Sequence, residues 1–120
     1  MANDFIRICT PDISNSSNST IYAVPAGASS AALESIVIGI TMANKTSSGV
    51  TASIFIDNED ATNDVFIVKD ASIPAGSSLE VMSGNKLVLQ SDSSGNADVL
   101  EGIASATSSL DITVSILEDV

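Results

Sequence analysis

The run LDITVSIL, residues 110–117, alternates without a break. Leu110, Ile112, Val114 and Ile116 fall on one side, and Asp111, Thr113, Ser115 and Leu117 on the other. Side chains of a β-strand point alternately to opposite faces, so this run is a strand with one buried and one solvated face. The same period governs VTASIFID, with Val50, Ala52, Ile54 and Ile56 inward and Thr51, Ser53 and Asp57 outward. In IVIGITM, Ile36, Ile38, Ile40 and Met42 share one face against Val37, Gly39 and Thr41. Shorter candidate strands cover 4–9, 19–24, 64–69, 78–82, 86–91 and 97–104. The last contains Gly102, where a bulge is expected. Polar connectors separate these runs: NKTSSG (44–49), DNEDATND (57–64), SGN (83–85), SDSSGN (91–96) and SATSS (105–109). Many short strands with frequent turns predict an all-β chain, an antiparallel β-sandwich or barrel rather than βαβ units.

Two echoes bear on the topology. VPAG (24–27) and IPAG (73–76) each set a β-branched residue before Pro-Ala-Gly, followed by serines. The residue before proline is pushed toward extended geometry, so it ends a strand. Proline then suits the second position of a type I turn and glycine the fourth. Proline's missing N–H stops the ladder. Each motif therefore predicts a corner that carries the chain from one sheet to the other, and two such corners predict a jelly-roll-like sandwich. Before the first of them, the polar stretch TPDISNSSNS (10–19) separates DFIRIC from the rest. Residues 1–18 are accordingly expected to form a short N-terminal arm and linker, and residues 19–120 the sandwich domain. The alternative for DFIRIC is an ordinary first strand of the same sandwich.

A chain of 120 residues suggests one domain, long enough to bury about two-thirds of its unfolded surface. Its only aromatics are Phe5, Tyr22, Phe55 and Phe66, so the core is aliphatic. The longest aliphatic run, IVIGI (36–40), falls far short of a membrane span of about 20 residues. MANDFIRICTPD lacks the basic start and apolar block of a secretory signal. Net charge is −11, with 4 Lys+Arg against 15 Asp+Glu. Binding nucleic acid or an anionic membrane requires cations, and Arg7, Lys45, Lys69 and Lys86 are too few and too scattered. Cys9 is alone, which rules out an intrachain disulfide.

Little in the chain speaks of chemistry. Histidine is absent, and with it the commonest general base and zinc ligand. No GxSxG, phosphate-cradling loop or dinucleotide fingerprint occurs. Serines without a base are turn residues. The acidic loop offers oxygen ligands from Asp57, Glu59, Asp60, Asn63 and Asp64, but lacks the glycine and terminal glutamate of a helix–loop–helix calcium site. A solvated hairpin tip is expected there. The sequons at Asn15, Asn18 and Asn44 follow from the abundance of Asn, Ser and Thr. No catalytic residue, metal site or cofactor is predicted.

The segments TIYAVPAG…SIVIGITMAN, FIVKDASIPAGSSLEVMSGNKLVLQSDSS and ASATSSLDITVSILE resemble a family of small virion structural proteins of tailed bacteriophages, of the marine and cyanobacterial phage type. The resemblance covers residues 19–118 and departs from the family at Ile116, where an aromatic is frequent. It implies a non-enzymatic β-sandwich subunit located in the virion, assembled in the host cytoplasm and acting by binding the major capsid protein or other virion proteins, with copies expected to associate as a homo-oligomer. Capsid decoration (cement) on the head surface ranks first, since a small domain with an arm can staple shell subunits by strand addition. A tail, collar or fibre-associated subunit ranks second, a carbohydrate-binding host-attachment module third, and a hydrolase last. The contact residues expected on the arm are Phe5, Ile6, Arg7 and Ile8.

Overall fold

The computed structural model describes residues 3–25, 33–57, 64–82, 85–92 and 96–119. The described residues form strands β1 (Asn3–Thr10), β2 (Ser19–Ala23), β3 (Glu34–Asn44), β4 (Val50–Asp57), β5 (Asp64–Ile73), β6 (Ser78–Glu80), β7 (Leu87–Gln90), β8 (Val99–Ala104) and β9 (Leu110–Asp119). One sheet has the order β1-β9-β3-β6, with β7 also on β3, and the other has the order β2-β8-β4-β5. All pairings are antiparallel. β6 covers Thr41–Ala43 and β7 covers Glu34–Val37, so the two run along β3 as successive pieces of one arm. With that reading the chain is a long antiparallel ribbon, β1 on β9, β2 on β8, β3 on β6–β7 and β4 on β5, rolled into two layers. This is the jelly-roll arrangement of an all-β sandwich.

Both Pro-Ala-Gly corners lie where the chain leaves one sheet for the other, β2 to β3 and β5 to β6. Ala26 and Gly27 lie outside the described residues, so only the second corner has visible geometry. There the Ser77 N–H donates to the Pro74 carbonyl at 3.1 Å, and Gly76 has φ +67°. Proline thus takes the first turn position rather than the second, and glycine the third rather than the fourth. A positive φ at the third position is the type II requirement, which glycine meets without steric cost. Gly76→Ala is expected to lose about 1 kcal/mol. Gly49→Ala, at ordinary φ and with no atom closer than 3.9 Å to the new methyl, should stay near wild type. Paired thermal melts check both.

The inward faces meet in an aliphatic core that includes Val37, Ile40, Met42, Ile54, Leu100, Leu110, Ile112, Val114 and Ile116. β9 matches its alternation residue for residue. β3 does not, because the register with β9 slips between Val37 and Gly39 and leaves Ile38 as an extra residue. The bulge inverts the parity of everything before it. Ser35 and Val37 are therefore buried, while Ile36 turns outward and Ile38 is 39% exposed. On β4, Ser53 is buried rather than outward, hydrogen-bonded to Asp70 N at 2.9 Å, and Phe55 is buried against Phe66 in an edge-to-face contact. The expected bulge at Gly102 is on the partner strand instead, between Thr20 and Tyr22 of β2. Gly102 makes room: an added Cβ would lie 3.1 to 3.3 Å from the tips of Ile21, Ile54 and Ile112.

Residues 11–18 are docked against the sandwich. Ile13 is fully buried and donates its N–H to the Leu110 carbonyl at 3.0 Å. Asp12 and Asp111 flank Lys45 Nζ at 2.5 and 3.0 Å. The hydrogen bond from Lys45 holds the Asp111 carboxyl below its ordinary value. A single apolar residue among serines and asparagines gives no period, so this anchor is invisible to patterning.

Candidate functional site

The residues expected to make contacts all lie on β1, which the structure pairs with β9 of the same chain. They do not form one surface. Ile6 and Ile8 are half-buried opposite Ile116 and Val114, while Phe5, 79% exposed, and the exposed Arg7 face outward. What distinguishes β1 is its edge. Its eight residues pair with β9 from Asn3↔Asp119 to Thr10↔Ile112 without a register shift. The other edges are blunted: β2 has five residues and a bulge, β5 carries two bulges with Asp70 at φ +51°, and β6 and β7 have three and four residues. Bulges and shortness protect an edge from pairing with another chain. Among the described strands, β1 is the long regular edge that has neither.

Sequence patterning missed a second feature. On the outer face of the β1-β9-β3-β7 layer, Phe5 lies opposite Leu117, Leu117 opposite Ile36, and Ile36 opposite Val88. Val88 is 57% exposed. The result is one cross-strand apolar row on the solvent side. Its signal was present in FIRI, IVI, LVL and IL, which carry apolar residues at both parities at the same end of the sheet. The next rows are polar: Arg7–Ser115, then Cys9–Thr113–Thr41–Glu80.

Beneath that end, Tyr22 of β2 reaches across the core. Its hydroxyl donates to the Glu118 carboxylate and pairs with Ser35 Oγ at 2.8 Å. Burial first, and the bond to Glu118 second, hold the phenol well above its ordinary range. The folded state therefore favours the neutral phenol. That stability is fully present below about pH 10 and lost as pH rises beyond it, where the unfolded chain ionises. Tyr22 is the sole tyrosine and tryptophan is absent, so phenolate absorbance reads this residue alone. The absorbance step is expected to coincide with alkaline unfolding, and Tyr22→Phe should unfold at higher pH relative to its own neutral stability. A phenol that titrates while the fold persists would contradict the buried hydrogen bond.

The acidic loop contributes Asp57 and Asp64, which pair across β4 and β5; residues 58–63 lie outside the described set. Burial, with Asp57 and Asp64 nearby, raises the Glu101 carboxyl above its ordinary value. Among the described residues no group of three or more His, Cys, Asp or Glu is placed to hold a metal, and no helix is long and apolar enough to cross a membrane.

No protein-family model matches the chain, and no curated relative does. Among solved structures it is similar to a chain of the infectious bursal disease virus Gx strain, with a TM-score of 0.47, 13% identity and coverage of 96% of this chain. It spans 33% of the length of that chain. It is also similar to a chain of the disulfide-linked pili of Bacillus endospore appendages, with a TM-score of 0.47, 14% identity and coverage of 98% of this chain and 88% of that one. A third similar chain comes from the acid-stable capsid of the Helicobacter pylori bacteriophage KHP30, with a TM-score of 0.49, 9% identity and coverage of 99% and 89%.

Proposed function

We propose that this chain is a non-enzymatic structural subunit of a tailed-phage virion, a decoration protein that docks on the head shell by adding β1 to a strand of a capsid subunit. The observation that carries the reading is the edge of β1, long, in register and unguarded where the other edges are bulged or short. Strand addition draws its affinity from main-chain hydrogen bonds and its selectivity from alternate side chains. On β1 the outward set is Phe5, Arg7 and Cys9. The family resemblance in residues 19–118 supplies the virion setting. A net charge of −11 opposes non-specific clumping of free copies before they dock.

The test is hydrogen exchange on the full chain, free and bound to particles prepared without it. Protection gained at residues 3–10 is expected. Protection confined to β5 or β6 would overturn docking through β1. A labelled particle map then separates a lattice-wide decoration from a few copies at the neck or tail.

A further inference from the structure

The outer row Phe5–Leu117–Ile36–Val88 takes no part in the core and crosses four neighbouring strands. At about 4.8 Å per strand it is roughly 14 Å wide. Ile38, pushed outward by the bulge, broadens it on β3. We propose that two copies of this chain pack face to face through this row, about a twofold axis running along it.

Charge placement argues for a second copy as the occupant. The chain holds four cations in all, and two of them, Arg7 and Lys86, flank this row. Arg7 follows Phe5 by two residues on β1, and Lys86 precedes Val88 by two, just before β7 begins. Both are exposed. β1 and β3 run in the same direction with β9 antiparallel between them, and β7 runs antiparallel to β3. Arg7 and Lys86 therefore lie on one flank of the row, where the Glu80 carboxylate, held by Thr41 over Gly39, leaves that flank a net positive charge. The exposed Glu34, two residues before Ile36, lies on the other flank, opposite Gln90. A twofold axis along the row exchanges the flanks, so the cationic side of each copy meets the Glu34 side of the other. An axis along the strands would set Glu34 against Glu34. Self-complementarity of one patch is what an isologous dimer requires. Two sheets meeting this way keep their strands within about 30° of alignment.

The row is smaller than the roughly 800 Å² per partner of a standard interface. Association is therefore weak, with a dissociation constant of about 100 μM. The proposal concerns the face of the sheet and not the edge of β1, and purified protein alone tests it. Its outcome is thus independent of docking on a particle.

The test is sedimentation equilibrium of the full chain from about 10 μM to about 1 mM, spanning that constant. A monomer–dimer equilibrium is expected, and Val88→Asp should weaken it at least about tenfold. Phe5→Ser, at an even more exposed position, should do the same and stands in if Val88→Asp fails to fold. Glu34→Lys and Lys86→Glu should each weaken the dimer several-fold, and the two together in one chain should restore it to within about threefold. A wild type that stays monomeric throughout overturns the proposal, and so does a dimer indifferent to Val88→Asp and Phe5→Ser. A double variant no tighter than either single one overturns the twofold along the row.

Discussion

Val114→Asp is expected to leave no folded protein. Val114 is fully buried on β9, between Ile8 of β1 and Ile40 of β3, in the middle of the five-stranded sheet. A carboxylate there has no cation to meet; Lys45 is engaged by Asp12 and Asp111 at the far end of the strand. Burying an unpaired polar group costs several kcal/mol, against a total stability of about 5–15 kcal/mol. Ile112→Asp should behave alike. Thr113→Asp, one residue away on the exposed face, should change stability by no more than about 0.5 kcal/mol. Amide dispersion and a thermal melt distinguish the cases, and a cooperatively melting Val114→Asp protein would refute the central position of β9.

The next largest loss is expected at Asn44, which is 2% exposed. Its Nδ2 donates to the carbonyls of Ser48 at 2.8 Å and Ile73 at 3.1 Å, and lies 3.3 Å from that of Pro74. Its Oδ1 accepts from Thr46 N at 3.0 Å and Thr46 Oγ1 at 2.7 Å. One amide thus ties the β3–β4 link to the corner between β5 and β6. Asn44→Ala removes these bonds and cuts the tie between the two connections. About 3 kcal/mol is expected, since several buried bonds are lost at a net of about 1 kcal/mol each. The melting temperature should fall by roughly 10 °C. Asn44→Asp sets a carboxylate oxygen against those carbonyls, acceptor against acceptor, and should recover none of it. The same burial leaves the Asn44 sequon closed to glycosylation in the folded state, unlike the exposed Asn15 and Asn18.

The period-two pattern sufficed for the class of fold and for the inward face of β9, and the Pro-Ala-Gly motifs for the places where the chain switches sheets. It failed where one inserted residue changes parity. Nothing in IVIGITM marks Ile38 as extra, because every residue around it is apolar or small; the slip shows only in the pairing with β9. Phe55 was likewise ambiguous, since an aromatic on the outer face of β4 is buried only because two bulges in β5 bring Phe66 beside it.

The candidate surface was legible in part. Phe5 and Arg7 stand out on any reading of DFIRIC as a strand. Their relation to Leu117, Ile36 and Val88 depends on which strands are neighbours and in what register, and both are set by pairings more than eighty residues apart for β1 and β9. Apolar residues at both parities are also what a strand buried on both sides shows, so pattern alone does not separate a covered face from an open one.

The rolled ribbon also sets an order of events during synthesis. β9 is the inner strand that joins β1 to β3, and it is the last of these nine strands to be made. Until residues 110–119 have left the ribosome, β1 has no partner, Ile13 has no Leu110 carbonyl to bond, and Ile40 and Met42 have no neighbouring strand on that side. The nascent chain therefore carries an open, apolar half-sheet until β9 emerges and closes it in one late step. Closing such long loops before any contact is gained makes folding slow, on the scale of milliseconds to seconds. During that interval the unpaired β1 and β3 are the segments most exposed to pairing with another chain.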